Sequence, residues 1–214
     1  MTTLPARIFL AEQLGRRFFA GETDSFGPLQ SLRNEFLAAK DEINLEAPAD
    51  STMILIPVTG DLIYKDNRDN MEKELMVGQV ATISSASSLN ITIANPYDEE
   101  GINFIILSLA HQLSPEDYLF NIVDFELSES NGSMLKIMSS NIAHLWMGMF
   151  QGRHETTHHL TGKRCFYYVL SGAFEVQERL LHANDGLALW DITETEMEAL
   201  SNNAVLLALE LPYI

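Results

Sequence analysis

The fold is decided by residues Cys165–Asp191, CFYYVLSGAFEVQERLLHANDGLALWD. Apolar residues alternate with others along this stretch, and the alternation is interrupted at Ser171-Gly172 and at Asn184-Asp185-Gly186. A period of two is typical of strands, and Gly172 and Gly186 supply the positive φ angles that tight turns favour. The stretch therefore predicts strand, turn, strand, turn, strand within a small β-barrel.

The same rhythm of short strands and turns runs through the rest of the 214-residue chain. STMILIPVTGDLIYKD, residues 51–66, predicts a hairpin that turns at Gly60-Asp61. Ser114–Asp117 has the cap, proline and acidic residues of a helix start or a linker, and we place the domain boundary there. Many short strands in two similar halves predict an all-β chain with two barrels, residues 1–115 and 116–214.

Composition excludes several classes of partner. The net charge of −17 repels phosphate backbones, and no basic run offsets it, so we expect no nucleic-acid binding. No apolar run approaches the ~20 residues that span a bilayer, and the N-terminus lacks the pattern of a signal peptide, so we expect no membrane association. A single cysteine, Cys165, fits a reducing compartment, and we expect a cytoplasmic protein.

Three motifs together resemble a known family. YVLSGAFEV (168–176), DGLALWD (185–191) and AVLLALELP (204–212) are similar to the C-terminal barrel of the pirin family, bicupins related to quercetin 2,3-dioxygenase. The resemblance implies two double-stranded β-helix (jelly-roll) barrels in one chain. Residues 29–43 fit a helical stripe as well as a sheet, and the resemblance favours a strand at Phe36–Ile43.

The resemblance also implies where a metal would be held in the first barrel. Members of the family use two His at i, i+2 on one strand, and a His and a Glu at i, i+2 on another, because residues two apart on a strand point the same way. Counting from the turn glycines puts these positions at Glu46, Pro48, Ile91 and Ile93. Only Glu46 has a donor atom in its side chain, and residues 1–110 contain no histidine. We therefore expect the family metal site to be absent and no cofactor to be bound.

All six histidines follow residue 110. His154-Glu155-Thr156-Thr157-His158 matches the HExxH pattern of zinc proteases, but the β-rich residues around it disfavour the helix on which that motif depends. An alternative is a cluster of His154, His158 and His159 in the second barrel that holds Fe, Ni or Zn.

Three hypotheses for the function follow. The favoured hypothesis is a non-catalytic, pirin-like binding or regulatory protein with a small apolar molecule in the first barrel, at Glu46, Pro48, Ile91 and Ile93, or with a protein partner. A separate hypothesis is a purely structural or transcription-coregulator role like that attributed to eukaryotic pirins, which implies a partner that the sequence does not disclose. The sequence leaves open the enzyme alternative, a metal-dependent, quercetinase-like cupin dioxygenase whose site has moved to the C-terminal barrel.

Overall fold

The computed structural model describes residues 5–19 and 25–212, and the regular secondary structure of this part of the chain is almost entirely β-strand. Within these residues no helix has both the length and the apolar character needed to cross a membrane. The all-β prediction is confirmed. The chain forms two compact units: Arg16–Phe125, and Met1–Gly15 together with Glu126–Ile214. We call them the N-terminal and C-terminal barrels.

The C-terminal barrel begins with β1 (Ala6–Phe9) and the short helix α1 (Ala11–Leu14). The strands of the N-terminal barrel follow in order: β2 (Arg17–Phe18), β3 (Leu29–Leu37), β4 (Glu42–Ala47), β5 (Ser51–Thr59), β6 (Leu62–Asp66), β7 (Lys73–Leu75), β8 (Gln79–Ser85), β9 (Leu89–Ala94), β10 (Ile102–Ala110) and β11 (Tyr118–Asp124). They form a six-stranded sheet, β11-β8-β5-β10-β3-β2, and a four-stranded sheet, β4-β9-β6-β7.

Both sheets contribute to the core of the N-terminal barrel. Leu55 and Phe104 come from the six-stranded sheet, and Tyr64, Ile91 and Ile93 come from the four-stranded sheet; all five are buried in one cluster. Their positions alternate along each strand, as expected where one face of a sheet covers the other sheet.

After a 3₁₀ turn at Leu127–Ser130, the C-terminal barrel repeats this plan. Its strands are β12 (Leu135–Ser139), β13 (His144–Phe150), β14 (Glu155–His159), β15 (Arg164–Ser171), β16 (Ala173–Val176), β17 (Arg179–His182), β18 (Gly186–Trp190), β19 (Glu194–Ala199) and β20 (Ala204–Leu211). The six-stranded sheet has the order β1-β18-β15-β20-β13-β12, and the four-stranded sheet the order β14-β19-β16-β17. Both sheets again supply the core cluster.

Gly60 and Gly172 mark equivalent crossings between sheets. Their φ angles are 72° and 79°, in the region that favours glycine. At Gly60 the chain passes from β5 in one sheet to β6 in the other, and at Gly172 it passes from β15 to β16. The prediction of a hairpin across residues 51–66 is therefore wrong, because a glycine turn can lead to a second sheet as readily as to a neighbouring strand. The true hairpin pairs β6 with β7.

Two local predictions need correction. The predicted strand Phe36–Ile43 is instead the end of β3, a turn at residues 38–41 and the start of β4, and Lys40 within that turn has a φ of 62°. The stretch Cys165–Asp191 contains four strands rather than the three predicted, because β16 and β17 form a hairpin at Gln177 and Glu178. Both turn residues have positive φ without being glycine, so the sequence carries no glycine signal at that point.

The units also divide differently from the proposed ranges 1–115 and 116–214. Tyr118–Asp124 pairs with β8 and so belongs to the N-terminal barrel, and Ala6–Phe9 pairs with β18 and so belongs to the C-terminal barrel. Both segments are joined to their barrel by strand pairing over a long sequence separation, which no local pattern reveals.

Candidate functional site in the N-terminal barrel

The interior of the N-terminal barrel is aliphatic where β4 pairs with β9. Leu45 lies opposite Ile91, and Ile43 lies opposite Ile93. Residues directly opposite in an antiparallel pair share one face of the sheet, and Ile91 and Ile93 are buried in the core, with Ile43 and Leu45 packed against it. This part of the barrel wall therefore presents hydrocarbon where the family resemblance implies metal ligands.

The four predicted positions do not converge. Glu46 lies opposite Asn90, on the other face of the sheet from Ile91 and Ile93, and both Glu46 and Pro48 are exposed. Counting back from Gly60 gave the wrong parity, because a shift of one residue along a strand moves every side chain to the opposite face. The inward positions on β4 carry apolar side chains, so the correct register offers no metal donor either.

A cleft of about 480 Å³ opens beside β4 and contains Glu46 and Pro48 in its lining. Its volume lies within the range of roughly 300–1,000 Å³ that is usual for small-molecule sites. Apolar side chains that line it include Phe18, Phe19, Leu45, Ala47, Met53 and Ile106. Polar side chains that line it are Arg17, Gln30, Ser31, Arg33, Glu46 and Ser108. The predicted Ile91 and Ile93 lie in the core and are not part of this lining.

Two arginines in the cleft are held by one buried carboxylate. Arg17 donates from Nε and Nη2 to the two oxygens of Glu35, at 2.9 and 3.0 Å, and Arg33 donates from Nε to Oε1 at 2.7 Å. Burial alone would raise the pKa of Glu35, but the hydrogen bonds and charges of Arg17 and Arg33 outweigh burial and lower that pKa. The three side chains form an ionic cluster in which Glu35 binds both guanidinium groups.

A second buried carboxylate, Asp66, was missed by the sequence reasoning. Tyr64 and Tyr118 donate their hydroxyls to Asp66 Oδ2 at 2.6 and 2.7 Å, and the Arg68 amide donates to Oδ1 at 2.8 Å. Burial acts to raise the pKa of Asp66, yet these hydrogen bonds prevail and lower it. Both carboxylate oxygens are used within the barrel, so Asp66 has a structural role. Its only sequence signal is the i, i+2 spacing from Tyr64.

In the C-terminal barrel, His158 is the inward-facing histidine of β14. Its side chain is 3% exposed, its Nδ1 lies 3.0 Å from the Tyr167 hydroxyl, and the edge of its ring meets Trp146 with centroids 4.9 Å apart. Burial lowers the pKa of His158 to about 4, so the imidazole is neutral at neutral pH. Among the described residues, His158 Nε2 and the neighbouring Thr195 Oγ1 have no hydrogen-bond partner.

His154 and His159 do not join His158. His159 follows directly on β14, so it points to the other face; its side chain is 76% exposed and lies 3.5 Å from Glu194. His154 is exposed, precedes the strand and packs on the ring of Phe150. The HExxH pattern lies on a strand and the turn before it, not on a helix. The expected three-histidine cluster is therefore absent.

The described residues as a whole do not fit a resident metal ion. Across 5–19 and 25–212, no group of three or more His, Cys, Asp or Glu side chains is placed to hold one. Metal sites in proteins need several such ligands with suitable geometry. The described residues of the two barrels do not supply them.

Comparison with known proteins agrees with this architecture. Residues 128–211 match the family model of the quercetinase C-terminal cupin domain. Two structures of YhhW from Escherichia coli have similar folds over nearly the whole of both chains. One has a TM-score of 0.78 at 13% identity, covering 98% of this chain and 99% of that one. The chain has a bicupin fold similar to that of bacterial pirins.

The second YhhW structure is described as a bacterial pirin in complex with nickel(II). It has a TM-score of 0.76 at 15% identity, with 97% of the pirin-like chain and 100% of YhhW covered. Quercetin 2,3-dioxygenase from Acinetobacter baumannii gives a TM-score of 0.74 at 13% identity, with 97% and 79% covered. No curated protein matches the sequence. The predicted resemblance to the pirin family is confirmed; identities this low establish the fold and not the activity.

Proposed function

We propose that this pirin-like bicupin is a non-catalytic protein that binds a small molecule in the cleft of its N-terminal barrel and holds no metal there. The observation that carries the proposal is the inner face of β4 and β9, where Leu45, Ile91 and Ile93 occupy the region in which the resemblance implies metal ligands. A dioxygenase of this family depends on that metal, and aliphatic side chains cannot replace it.

The cleft supports the binding half of the proposal. It has about 480 Å³ of space and combines apolar walls with a few fixed polar groups, which is the usual composition of a ligand site. Met53 and Ile106 line it from the six-stranded sheet, and Leu45 and Ala47 line it from β4. A molecule with an apolar body would bury its own hydrocarbon surface against this wall, at roughly 25 cal/mol per Å² of apolar surface removed from water.

A neutral fluorescent probe tests this function. N-phenyl-1-naphthylamine, which brightens in apolar surroundings, is expected to bind with one site per chain. Ser31→Trp, which places an indole in the cleft, is expected to abolish the signal, and Ser31→Ala is the matched control that should preserve it. Equal binding of the probe to Ser31→Trp and Ser31→Ala would contradict the proposal. The proposal would also be contradicted if the wild-type protein bound neither this probe nor an anionic analogue.

The alternative function is a metal-dependent dioxygenase with its site in the C-terminal barrel. The unpartnered His158 Nε2, buried in that barrel, is the observation in its favour. His154 and His159 are directed elsewhere, however, so a metal at His158 would lack the further protein ligands that such a site requires. We therefore favour the binding function.

Two further expectations remain proposals. We propose a cytoplasmic location, since the single cysteine is compatible with a reducing compartment. The net charge of −17 favours a basic surface on any protein partner. Fractionation of the native host and isolation of bound proteins are the direct tests.

A further inference from the structure

The cleft contains two accessible guanidinium groups, although the chain as a whole is strongly acidic. The sequence has 13 Lys and Arg against 30 Asp and Glu. Arg17 on β2 nevertheless lies directly opposite Arg33 on β3, and both line the cleft. Like charges placed opposite each other on a sheet destabilise it unless another group compensates. Glu35, two residues after Arg33 on β3, compensates both charges.

Glu35 uses only part of the donor capacity of the two guanidinium groups. An arginine has five N–H donors. Glu35 accepts hydrogen bonds from Nε and Nη2 of Arg17 and from Nε of Arg33. None of these bonds uses the Nη1 group of either arginine. The Arg17 side chain is 56% exposed and that of Arg33 is 28% exposed, whereas Glu35 is 10% exposed. The arginines are therefore accessible while their counter-ion is buried.

The position of the arginines relative to the apolar wall is set by strand register. Arg33 lies opposite Ile106 on β10, and Ser31 lies opposite Ser108. Directly opposed residues share a face, so Arg33 and Ser31 are on the side of the sheet that bears Ile106, a member of the core cluster. This face of the six-stranded sheet is therefore apolar at Ile106 and becomes polar towards the edge, where it carries the guanidinium groups of Arg33 and Arg17.

We propose that the cleft selects amphipathic monoanions, molecules with an apolar body and one carboxylate or sulfonate group that Arg17 and Arg33 bind. This inference rests on the proposed function and deepens it. Guanidinium groups held in place by a buried carboxylate lose little freedom when they bind an anion, and each offers charge-assisted hydrogen bonds. Glu46, the acidic residue among the described residues of the lining, disfavours ligands with more than one negative charge.

Two probes that differ mainly in charge test the selection. 8-Anilinonaphthalene-1-sulfonate is an amphipathic monoanion, and N-phenyl-1-naphthylamine is its neutral counterpart without the sulfonate. Binding to the full chain is measured by fluorescence titration with competition between the two. We expect the affinity for the sulfonate to be at least about ten-fold higher than that for the neutral probe, the gain typical of a charge-assisted contact. Ser31→Trp should abolish both signals.

Variants that keep the buried site balanced assign the selection to the arginines. Glu35→Gln retains both guanidinium groups, and Arg17→Gln/Arg33→Gln/Glu35→Gln removes them without leaving a buried carboxylate unpaired. Lys40→Gln/Arg153→Gln in the Glu35→Gln background removes the same charge from exposed positions that do not line the cleft. Far-UV circular dichroism and melting establish that each variant is folded. If the triple variant fails to fold, Arg17→Gln alone, at a largely exposed side chain, is expected to lower the preference about three-fold.

The outcomes separate the two proposals. Loss of the preference for the sulfonate in the triple variant supports selection by the arginines if the preference is retained or increased in Glu35→Gln, which removes a negative charge beside them, and retained in the surface control. Equal affinity of the wild type for both probes, with both blocked by Ser31→Trp, overturns the selection and leaves small-molecule binding in place. Absence of binding by both probes, or binding that Ser31→Trp does not change, overturns both.

Discussion

His158 is the residue at which a buried polar group has the clearest energetic consequence. Its imidazole is 3% exposed and makes one hydrogen bond, to the Tyr167 hydroxyl. Burial lowers its pKa to about 4, against about 6.5 for an unfolded chain, while Glu210 acts in the opposite direction and His159 and Lys136 act with burial. Between these two pH values the unfolded chain binds more protons than the folded one.

We therefore predict that the free energy of unfolding falls as the pH is lowered from about 6.5 to about 4, by roughly 3 kcal/mol on account of His158. Chemical denaturation of wild type and His158→Gln at several pH values measures the difference. The variant should lose much less stability over this range than the wild type. His159→Gln, at the exposed neighbour whose charge lowers the pKa of His158 less than burial does, is the control and should stay much closer to the wild type than His158→Gln. Parallel curves for wild type and His158→Gln would contradict the burial argument.

Glu210 shows how the C-terminal barrel satisfies a buried carboxylate, chiefly with hydrogen bonds from neutral groups. Oε1 accepts hydrogen bonds from the Thr161 amide and hydroxyl and from the Gly162 amide, at 2.6–2.7 Å, and Oε2 accepts one from Trp146 Nε1 at 3.2 Å. Burial favours a raised pKa for Glu210, but these bonds outweigh it and lower the pKa. Glu210 thus fixes the turn between β14 and β15 and is not free for chemistry.

At the scale of elements, the turn between β15 and β16 depends on the absence of a side chain at Gly172. Its φ is 79°, and a Cβ added there would lie 2.8 Å from the Cβ of Ala204 and closer still to Ser201 Oγ. Gly15 also has a positive φ, 68°, but an added Cβ would meet nothing within 4 Å. Comparing alanine substitutions at the two glycines therefore distinguishes the cost of backbone strain, present at both, from the cost of steric overlap, present only at Gly172.

We predict that Gly172→Ala lowers the free energy of unfolding by about 3 kcal/mol or more, because strain and overlap add. Gly15→Ala should lower it by only about 1–2 kcal/mol, from the backbone alone. Urea denaturation of both variants is the measurement. Equal losses would show that the contacts at Ser201 and Ala204 relax without cost.

The sequence predicts elements where the pattern is local, and it fails where pairing is distant. Alternation and turn glycines locate β15 and β18, but a glycine turn does not reveal whether the next strand joins the same sheet, as at Gly60. In the same way, nothing near Glu35 indicates that Arg17 neutralises it from another strand. Residues 1–110 contain no histidine, and this holds whatever the strand register is. Placing Glu46 in the interior depends on the register, which counting from a turn glycine does not determine.

At the scale of the whole molecule, each barrel depends on a strand from outside its proposed sequence range. β11 covers the edge of the N-terminal six-stranded sheet by pairing with β8, and its Tyr118 bonds to the buried Asp66. Phe120 and Ile122 of the same strand pack against the core. A division at residue 115 would remove all of these contacts.

We predict that a fragment of residues 16–125 is more stable than one of residues 16–115 by about 2 kcal/mol or more, the typical value of a hydrogen bond to a buried charge. Thermal unfolding followed by circular dichroism compares the two. The fragment 16–110, which also lacks the loop before β11, is the control and should resemble 16–115. Equal stability of all three would contradict the role assigned to β11.

We propose that the N-terminal barrel holds no metal, because Leu45, Ile91 and Ile93 present hydrocarbon where the pirin resemblance implies metal ligands. The most direct test is elemental analysis, by plasma mass spectrometry, of untagged protein dialysed without a chelator. We predict iron, nickel, zinc and copper each well below one per chain. About one transition metal ion per chain would contradict the account, and loss of that ion in His158→Gln would move the site to the C-terminal barrel.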